Sequence, residues 1–522
     1  MHVFGQVIIG LLLSAAFAAQ QLRWLRVLQR EHYEPRSMVT FLGRWSSPPL
    51  ASAKASRSAR NKRPITPTHV ALLFLLLGAF LSSDIILILT TVAYGLICPW
   101  GLSIKGRTSK LQWTRRLRVI AGLSTLLAIV VSCLGVVAPR HWLLGCLVVW
   151  AVPPLLDLTT RLLAPYERRN AQKFVDQAVK RLQRVHPRII AITGSFGKTS
   201  TKNHLADLLR GDGGVVASPR SFNNRAGLSR TINENLADGT RVFIAEMGTY
   251  GPGEISELCS WCPPEIAVIT AIGPVHLERM KSLEVISQAK FEITESATTV
   301  ILNGDDPLLR NWIEPLRKAG KTVRLAGAQS NDLDVQIRAT PSSWTVLVHG
   351  EEVATIAPLT SVQPTNLACA VAAALEVGAL TSELAQRLSQ VTVVANRANV
   401  VLAPSGVLVI DDTFNANPAS AASALALLRS QELTGKRYVV TPGLIELGPT
   451  QWTENLKLAR SVEASGAQLV IVGRTNARAL ENGFDGPVQR FDTRDEAVAW
   501  VREVLIAGDG VLYLNDLPDH YP

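Results

Sequence analysis

A glycine-rich turn joins a short β-rich run to a helical stretch near the middle of the sequence. Residues 188–193 are RIIAIT, and helix-forming residues follow as far as Leu209. Glycines at such a joint let backbone N–H groups approach phosphate oxygens, and a helix N-terminus adds positive potential. A lysine there neutralises phosphate charge, and a threonine hydroxyl next to it can reach Mg²⁺. The residues predicted to bind a nucleotide here are Gly194, Ser195, Gly197, Lys198, Thr199 and Ser200.

Three charged or ionisable residues downstream of this loop suggest a larger site. Glu246 ends an apolar strand (242–248, VFIAEMG), His276 follows another (266–272), and Lys290 lies fourteen residues beyond His276. Considered alone, His276 is as well interpreted as a hydrogen-bonded core histidine, and Lys290 as a solvent-exposed helix residue, with no functional role for either. Their spacing after a phosphate loop and a strand-end carboxylate favours a functional cluster.

The loop and the segments around it resemble the Mur ligase family, in its D-alanyl-D-alanine-adding (MurF-type) branch. That family uses the shorter loop G-x-x-G-K-T-[ST] in place of G-x-x-x-x-G-K-[ST]. The resemblance covers roughly residues 188–522. The other segments that carry it are SFNN (221–224), GEI (253–255), QAKFEI (288–293), LNGDD (302–306), PTNLACAVAAA around Asn366, NR (396–397), DDTFNANP (411–418) and GLIELG (443–448).

This resemblance implies an ATP-dependent ligase that joins a carboxylate to an amine through an acyl phosphate, in cell-wall or envelope precursor synthesis. Two Mg²⁺ ions are expected, since cations must hold the triphosphate and the carboxylate together. By resemblance, Thr199 and Glu246 bind the Mg²⁺ of ATP, and His276 and Lys290 bind the second ion. Lys290 as an ammonium is a poor ligand, and the resemblance implies its carbamoylation by CO₂.

The same resemblance assigns residues around the nucleotide and completes the set of expected catalytic residues. Asn303 lies near the adenine, and Asn366 lies on a helix beside the nucleotide. Asp412 and Asn415 face the ribose and phosphates, while Arg397 reaches the γ-phosphate from a mobile domain. The catalytic residues expected on this basis are Lys198, His276, Lys290 and Arg397.

The chain departs from the family pattern in three places. Apolar segments stand where the family has a UDP-sugar-binding domain. The family's histidine after E-L-G appears as Asn455, and Leu514 stands where the family has lysine. We expect these changes to fall on substrate-facing parts. ATP use is therefore expected, whereas addition of D-alanyl-D-alanine to a soluble UDP-muramoyl peptide is not.

Charge is distributed unevenly along the 522 residues. Residues 1–190 hold 25 Lys and Arg against 6 Asp and Glu, whereas residues 191–522 hold 28 against 36. The basic charge thus belongs to the apolar half, where it flanks candidate membrane segments. Nucleic acid is therefore not an expected partner. Six cysteines exclude a disulfide scaffold, and the lone C-x-x-C of Cys259 and Cys262 is expected to serve packing.

Apolar runs over 3–19, 70–100, 119–138 and 142–160 predict membrane spans. The basic loops 20–69 and 101–118 are expected in the cytoplasm, so the 31-residue run is predicted to form a hairpin that turns at Asp84. This gives five crossings of the cell (inner) membrane, with the N-terminus outside and the catalytic domains cytoplasmic. Asp84 and Asp157 are expected in structural roles rather than in an ion relay.

An amphipathic segment over 166–185 is predicted to lie near anionic lipid head groups, because Phe174, Val175, Ala178, Val179 and Leu182 fall at helical spacing between basic residues. The predicted fold class is an α-helical membrane domain (1–165), an α/β Mur ligase central P-loop domain that binds ATP (166–390) and a Rossmann-like α/β C-terminal domain (391–522). Residues 331–358 are expected to form a small β insertion. The expected partners are a small-molecule or lipid-linked envelope precursor, an amino acid or dipeptide, and the membrane.

Three other functions compete with a precursor ligase. One is a polymer-forming ligase of the poly-γ-glutamate type, although the N-A-N-P segment favours the MurF branch. Another is a degenerate ligase that serves as a membrane scaffold or nucleotide sensor, which the leucine at 514 favours and the retained Lys198, Glu246, His276 and Lys290 oppose. An ATP-driven transporter is disfavoured by the lack of an L-S-G-G-Q run and of polar groups within the spans.

Overall fold

The computed structural model describes residues 2–31, 33–34, 37–46, 84–99, 102–106, 110–135, 141–219, 222–359, 362–391, 399–413, 416–517 and 521. Within these ranges a helical N-terminal region precedes two α/β parts, one built on a nine-stranded sheet and the other on a six-stranded sheet. The predicted order of a helical region followed by two α/β units is confirmed. The predicted limit at residue 165 falls inside a helix that crosses it without a break.

The helical region contains six helices in the described ranges. They are α1 (His2–Arg30), α2 (Ser37–Ser46), α3 (Asp84–Ile97), α4 (Arg115–Gly135), α5 (His141–Trp150) and α6 (Val152–Val185). Two segments, Gln6–Arg30 and Arg115–Leu134, are long and apolar enough to cross a membrane. The pair α5 and α6, bent by 75°, adds a third if it counts as one span. The described ranges therefore supply two or three of the five predicted crossings, and residues 70–83 of the predicted hairpin lie outside them.

Helix α1 does not end at residue 19 as predicted, and Arg23 and Arg26 are buried helical residues rather than members of a cytoplasmic loop. Gln20 Nε2 donates to the carbonyls of Tyr94 (3.1 Å) and Cys98 (2.6 Å), and Arg23 Nη1 donates to the Gly95 carbonyl (2.7 Å). The last carbonyls of a helix have no partner within the helix. These two side chains of α1 thus satisfy the end of α3.

The two acids of the apolar region occupy different positions in its helices. Asp84 is the first residue of α3, where a negative charge is favoured by the helix dipole. Asp157 on α6 accepts hydrogen bonds from the backbone of Met38 (3.3 Å) and Val39 (3.1 Å), the second and third residues of α2. Asp157 therefore joins α6 to the N-terminus of α2.

Helix α6 continues from the helical region into the central α/β part as one element of 34 residues, with Pro165 inside it. Of the apolar stripe predicted to lie near lipid head groups, three residues face protein instead, whereas Phe174 is exposed. Val175, Ala178 and Leu182 are buried, and the helix packs against α8 (Arg225–Asn235). An amphipathic stripe fits a protein surface as well as a membrane surface, and here the protein surface covers it.

The central part is a mainly parallel sheet with helices on both faces. Its strands are β1 (Arg188–Thr193), β2 (Val215–Ala217), β3 (Val242–Glu246), β4 (Ile266–Ile269), β5 (Thr299–Asn303), β6 (Thr322–Gly327), β7 (Val335–Ala339), β8 (Trp344–Val348) and β9 (Glu351–Ile356). Its other helices are α7 (Lys198–Leu208), α9 (Glu254–Trp261), α10 (Leu277–Met280), α11 (Leu283–Phe291), α12 (Pro307–Arg310), α13 (Ile313–Lys318), α14 (Pro364–Glu376) and α15 (Thr381–Leu388). The spatial order of the strands is β2-β3-β1-β4-β5-β6-β7-β8-β9.

The predicted β insertion forms the antiparallel strands β7, β8 and β9, which extend this sheet at one edge. Strands β1, β3, β4 and β5 lie at the centre and run parallel, so their carboxyl ends meet at one edge of the sheet. That edge of an open α/β sheet is where ligands usually bind. It carries the phosphate loop after β1, Glu246 at the end of β3, the His276 segment after β4 and Asn303 at the end of β5.

The C-terminal part is a second α/β unit, as predicted. Its strands are β10 (Asn399–Leu402), β11 (Leu408–Asp412), β12 (Arg437–Thr441), β13 (Ala467–Val472), β14 (Gln489–Phe491) and β15 (Gly510–Leu514), in the order β10-β11-β15-β12-β13-β14. Its helices are α16 (Pro418–Ser430), α17 (Gln451–Ala464), α18 (Ala477–Asn482) and α19 (Arg494–Val504). Strand β10 pairs antiparallel with β11, and the other pairs are parallel.

Candidate active site

The phosphate loop between β1 and α7 is shaped by two glycines that have no room for a side chain. Gly197 has φ 81°, and a Cβ there would lie 2.2 Å from Oδ1 of Asn366 on α14. A Cβ at Gly194 would lie 2.0 Å from Thr270 Oγ1. Ser195 fixes the loop from the other side, because its hydroxyl donates to the Gly273 carbonyl (3.0 Å) and accepts from the Gly273 N–H (2.9 Å).

Lys198, the first residue of α7, folds back over this loop. Its Nζ donates to the Gly194 carbonyl at 2.7 Å, so the ammonium lies above the turn where phosphate oxygens are expected. Ser200 is half-buried in the first turn of the same helix. The loop backbone, the lysine and the helix N-terminus thus converge as they do in phosphate sites.

Glu246 is buried at the end of β3 among four polar partners. Its Oε2 accepts from Thr199 Oγ1 (3.0 Å) and Lys202 Nζ (3.2 Å), and its Oε1 accepts from Asn223 Nδ2 (3.2 Å). Its backbone N–H donates to Ser218 Oγ (3.1 Å). The side chains of Glu246 and Lys202 are each only 1% exposed. A buried carboxylate beside a threonine hydroxyl and a phosphate loop is the donor set that Mg²⁺ uses with a bound triphosphate.

Two of these partners were not assigned a role from the sequence. Lys202 lies one helical turn after Lys198, a position that carries no distinguishing sequence signal. Asn223 belongs to a segment recognised by resemblance, without a partner being named. Its short distance to Glu246 depends on how the loop before α8 folds back onto β3.

The asparagines predicted near the nucleotide support the loop from neighbouring elements. Asn366 packs on Gly197, as the clash of a Cβ there shows. Asn303 is buried at the end of β5, where its Nδ2 donates to the Thr270 carbonyl (2.9 Å) and its Oδ1 accepts from the Asp305 N–H (2.9 Å). Asp305 and Asp306 in turn accept backbone N–H groups of Ala328 and Ile272 and stabilise the surrounding loops.

Lys290 is buried on α11, with 2% of its surface exposed. Burial lowers the pKa of its amine well below the usual value, and the nearby charge of Lys198 lowers it further. The neutral amine is thus favoured.

His276 lies at the start of α10 and meets the C-terminal part rather than the other predicted ligands. Its Nδ1 contacts the carboxylate of Glu446, and the Tyr250 ring lies edge-on with its centroid 4.8 Å from that of the imidazole. Among the described residues, the hydrogen bond of His276 goes to Glu446 and not to Thr199, Glu246 or Lys290. In the described ranges there is also no group of three or more His, Cys, Asp or Glu side chains that holds a metal by itself.

Of the site residues predicted on the C-terminal part, the structure describes Asp412 but not the others. Asp412 is buried at the end of β11, where its carbonyl accepts from the Asn515 N–H (3.0 Å). Arg397 and Asn415 lie outside the described residues, as does Asn396.

The two departures from the family pattern that lie in the C-terminal part are buried, contrary to the expectation that they face substrate. Asn455 is fully buried and holds the backbone of Leu444, while Leu514 is a core residue of β15. Cys259 and Cys262 are free, buried thiols in the core of the central part, and burial raises the pKa of Cys259 to about 12. That burial agrees with the predicted packing role, since a reactive thiol needs a lowered pKa.

Comparison with known proteins identifies the family of this chain. Residues 192–374 match the family model described as Mur ligase middle domain, and residues 396–514 match Mur ligase, glutamate ligase domain. The UDP-N-acetylmuramoyl-tripeptide–D-alanyl-D-alanine ligase of Mycobacterium tuberculosis is 32% identical over 357 residues, covering 62% of this chain and 69% of the relative. The chain belongs to the Mur ligase family.

A ligase of the same name from Bacillus subtilis is 29% identical over 342 residues, covering 64% of this chain and 74% of that relative. The fold of this Mur ligase is also similar to that of MurF ligase from Thermotoga maritima in complex with ADP. The TM-score is 0.57 at 22% identity, over 66% of this chain and 80% of that chain. This Mur ligase is an ATP-dependent ligase, and Mur ligases use ATP with Mg²⁺.

Proposed function

We propose that this Mur ligase is anchored in the membrane and joins a carboxylate of a cell-envelope precursor to an amine. A carboxylate oxygen of the precursor attacks the γ-phosphorus of ATP, the bond to the β-phosphate oxygen breaks, and ADP leaves. The amine then attacks the acyl carbon of the acyl phosphate, phosphate leaves, and the amine loses a proton. A new amide bond results.

The observation that carries this proposal is the group formed by Lys198, Thr199, Glu246 and the loop glycines. A positive charge, a hydroxyl and a buried carboxylate converge on the N-terminus of α7. We assign Thr199 and Glu246 to the Mg²⁺ of ATP, since that ion takes one or two protein ligands and completes its shell with phosphates and water. The ion would neutralise charge as the phosphoryl group transfers.

We further propose that Lys290 is carbamoylated and assists the second Mg²⁺ together with His276. The low pKa of its buried amine supports this, because CO₂ reacts with the neutral form. The amine nitrogen forms a bond to the carbon of CO₂ and releases a proton, which leaves an anionic carbamate. Such a group would also balance the charge of Lys198 nearby.

The acceptor is proposed to be a precursor made or held at the membrane, and the amine an amino acid or dipeptide. The relatives' names point to a UDP-linked muramoyl tripeptide and D-alanyl-D-alanine for those proteins. Support for a membrane-held acceptor comes from the helical region, which contacts both catalytic parts. Glu31 and Glu34 pair with Arg279, three residues from His276, while Phe41 and Trp45 contact Tyr521 and Arg474.

Membrane anchoring rests on the outward faces of the apolar helices. Large apolar side chains such as Phe4, Leu11, Ile85, Leu89 and Leu126 are exposed on α1, α3 and α4. A soluble protein rarely exposes so continuous an apolar surface. We retain the proposed orientation, with the N-terminus outside and the catalytic parts in the cytoplasm. Labelling of cysteines introduced at residues 54–63 tests it, because labelling only from the periplasmic side would contradict this orientation.

The experiment that tests the function is ADP release by the detergent-purified full-length protein. UDP-linked and lipid-linked muramoyl peptides are supplied separately, each with and without D-alanyl-D-alanine. Release that needs both a precursor and the amine would establish the ligase and identify its acceptor. Tight ATP binding without precursor-dependent release would favour the nucleotide-sensing scaffold instead. The Lys198→Ala protein controls for contaminating ATPase.

A further inference from the structure

Two residues in left-handed backbone conformations meet where the central and C-terminal parts touch. His276 has φ 52° and Glu446 has φ 62°, and the imidazole Nδ1 of the first contacts the carboxylate of the second. A non-glycine residue in this region of conformational space is strained and persists only where its surroundings impose it. Both strained residues contribute to the same contact.

The loop that carries Glu446 is held by three buried asparagines from different elements. Asn455 accepts from the Leu444 N–H (2.7 Å) and donates to the Leu444 carbonyl (2.9 Å). Asn476 donates to the Pro442 carbonyl (2.9 Å), and Asn515 donates to the Gly443 carbonyl (2.7 Å). The backbone of residues 442–444 is therefore fixed within the C-terminal part, and Glu446 projects from a rigid base.

The His276 side of the contact is equally constrained. The Tyr250 ring packs against the imidazole, and the Glu278 N–H donates to the Glu446 carbonyl at 3.4 Å. A Cβ on Gly448, which has φ 55°, would lie 3.4 Å from the backbone of Leu277. Backbone and side chain of the Glu446 loop thus both fit against α10, so the contact requires one relative placement of the two parts.

We propose that Glu446 is a positioning residue that prepares His276 to bind the second Mg²⁺. An ionised carboxylate only accepts hydrogen bonds, so this contact selects the tautomer of the neutral ring that has its proton on Nδ1 and its lone pair on Nε2. Metal-binding histidines commonly donate their second N–H to a carboxylate in this way, which fixes the ring and raises its basicity. Here the carboxylate comes from another domain.

It follows that docking of the C-terminal part orients His276 and favours its metal-binding form. Because coupling between two equilibria is reciprocal, the second ion in turn favours docking. Opening of the domains removes the carboxylate and weakens the ion's site. This inference rests on the proposed function for the presence of a second ion, but it concerns metal binding and domain closure rather than catalysis.

The test uses the full-length protein in detergent with ADP, and Mn²⁺ as the spectroscopic substitute for Mg²⁺. The variants are Glu446→Gln, Glu446→Asp and, as a matched control, Glu432→Gln on an exposed site of the same domain. Electron paramagnetic resonance counts bound Mn²⁺, and calorimetry gives the ADP affinity. Spin labels at positions 318 and 460 report the distance between the two parts.

We expect Glu446→Gln to leave ADP affinity within about twofold and to weaken the second Mn²⁺ 10- to 100-fold, the usual effect of losing such a partner. The second ion should shorten the label distance in the wild type and not in this variant, while Glu446→Asp should recover part of both effects. A Glu446→Gln protein that binds two Mn²⁺ ions and closes like the wild type would overturn the proposal. So would a wild type that binds one Mn²⁺ only. Absence of ligase activity alongside normal two-ion binding would count against the proposed function alone.

Discussion

The phosphate loop, Lys202 and Glu246 all belong to the central part, whereas His276 is held by a carboxylate from another part of the chain. The first group, here called the nucleotide end, is linked by hydrogen bonds of 3.0 to 3.2 Å to the buried carboxylate of Glu246. The second group, the His276 end, comprises His276, Tyr250 and Glu446. The side chains of the nucleotide end all come from the central part, whereas the His276 end depends on the placement of the C-terminal part. ATP binding and catalytic assembly can therefore be separated by mutation.

The largest effect is expected from Lys198→Ala, which removes the positive charge over the phosphate loop. Loss of a preorganised charge at a phosphoryl group costs on the order of 10³-fold or more in turnover. ADP release should become undetectable, while the His276–Glu446 contact and the melting temperature change little. Lys457→Ala, at an exposed lysine, is the control. Turnover at wild-type rates in the Lys198 variant would refute the assignment of the nucleotide end.

Lys202→Met should disrupt the nucleotide end by destabilising the folded protein. Removing one partner of a buried ion pair leaves the other charge uncompensated and costs about 3 kcal/mol of the free energy of unfolding. Arg230→Ala, which removes an exposed pair with Glu234, should cost less than about 0.5 kcal/mol. Chemical denaturation measures both. The double variant Lys202→Met, Glu246→Gln should recover most of the loss, and failure to do so would show that Lys202 acts through other contacts.

A smaller, pH-dependent effect is expected from His204 on α7. Burial lowers its pKa to about 4, so the folded protein holds the ring neutral. The neutral ring therefore contributes to the free energy of unfolding. This contribution is complete above the unfolded pKa of 6.5 and is lost as pH falls towards 4. At pH 5 the loss amounts to about 2 kcal/mol relative to pH 7.5. His204→Leu should therefore lose less stability than the wild type between these two values. If thermal melts showed that both proteins lose equal stability between pH 7.5 and pH 5, the prediction would be contradicted.

The smallest effect is expected from Arg279→Ala, which cuts the link between the helical region and the His276 end. Its ion pairs with Glu31 and Glu34 are partly exposed, and the guanidinium lies 5.0 Å from the centre of the Tyr250 ring. We expect a loss of about 1 kcal/mol or less in stability and unchanged ADP affinity. A higher KM for a membrane-held acceptor with unchanged kcat would indicate that this link guides the acceptor. A large drop in ADP affinity would contradict the independence of the two ends.

The two ends also differ in how far the sequence predicts them. Strand β1 begins and ends where its apolar run does, and Glu246 ends β3 as expected, because short-range patterns determine both. The Glu446 loop was recognised by resemblance, but its partner lies 170 residues away, and no local pattern encodes such a contact. Asn455 and Leu514 occupy positions where the family differs, yet tertiary packing places both in the interior.

In the helical region, too, local sequence patterns do not predict which elements come into contact. The stripe of Val175, Ala178 and Leu182 has a spacing that suits either lipid or protein, and only the position of α8 decides between them. Arg23 is a helix-capping donor because α3 happens to end beside it. Hydropathy identifies apolar helices reliably, but not which of their polar residues serve another helix.

Helix α6 has a mechanical consequence. Thirty-four residues at 1.5 Å each make a rod about 51 Å long, rooted among the apolar helices at one end and clamped along α8 at the other. A continuous helix restricts the relative motion of the two parts more than a flexible linker would. The apolar helices and the central part are therefore joined by one continuous helix rather than by an irregular linker.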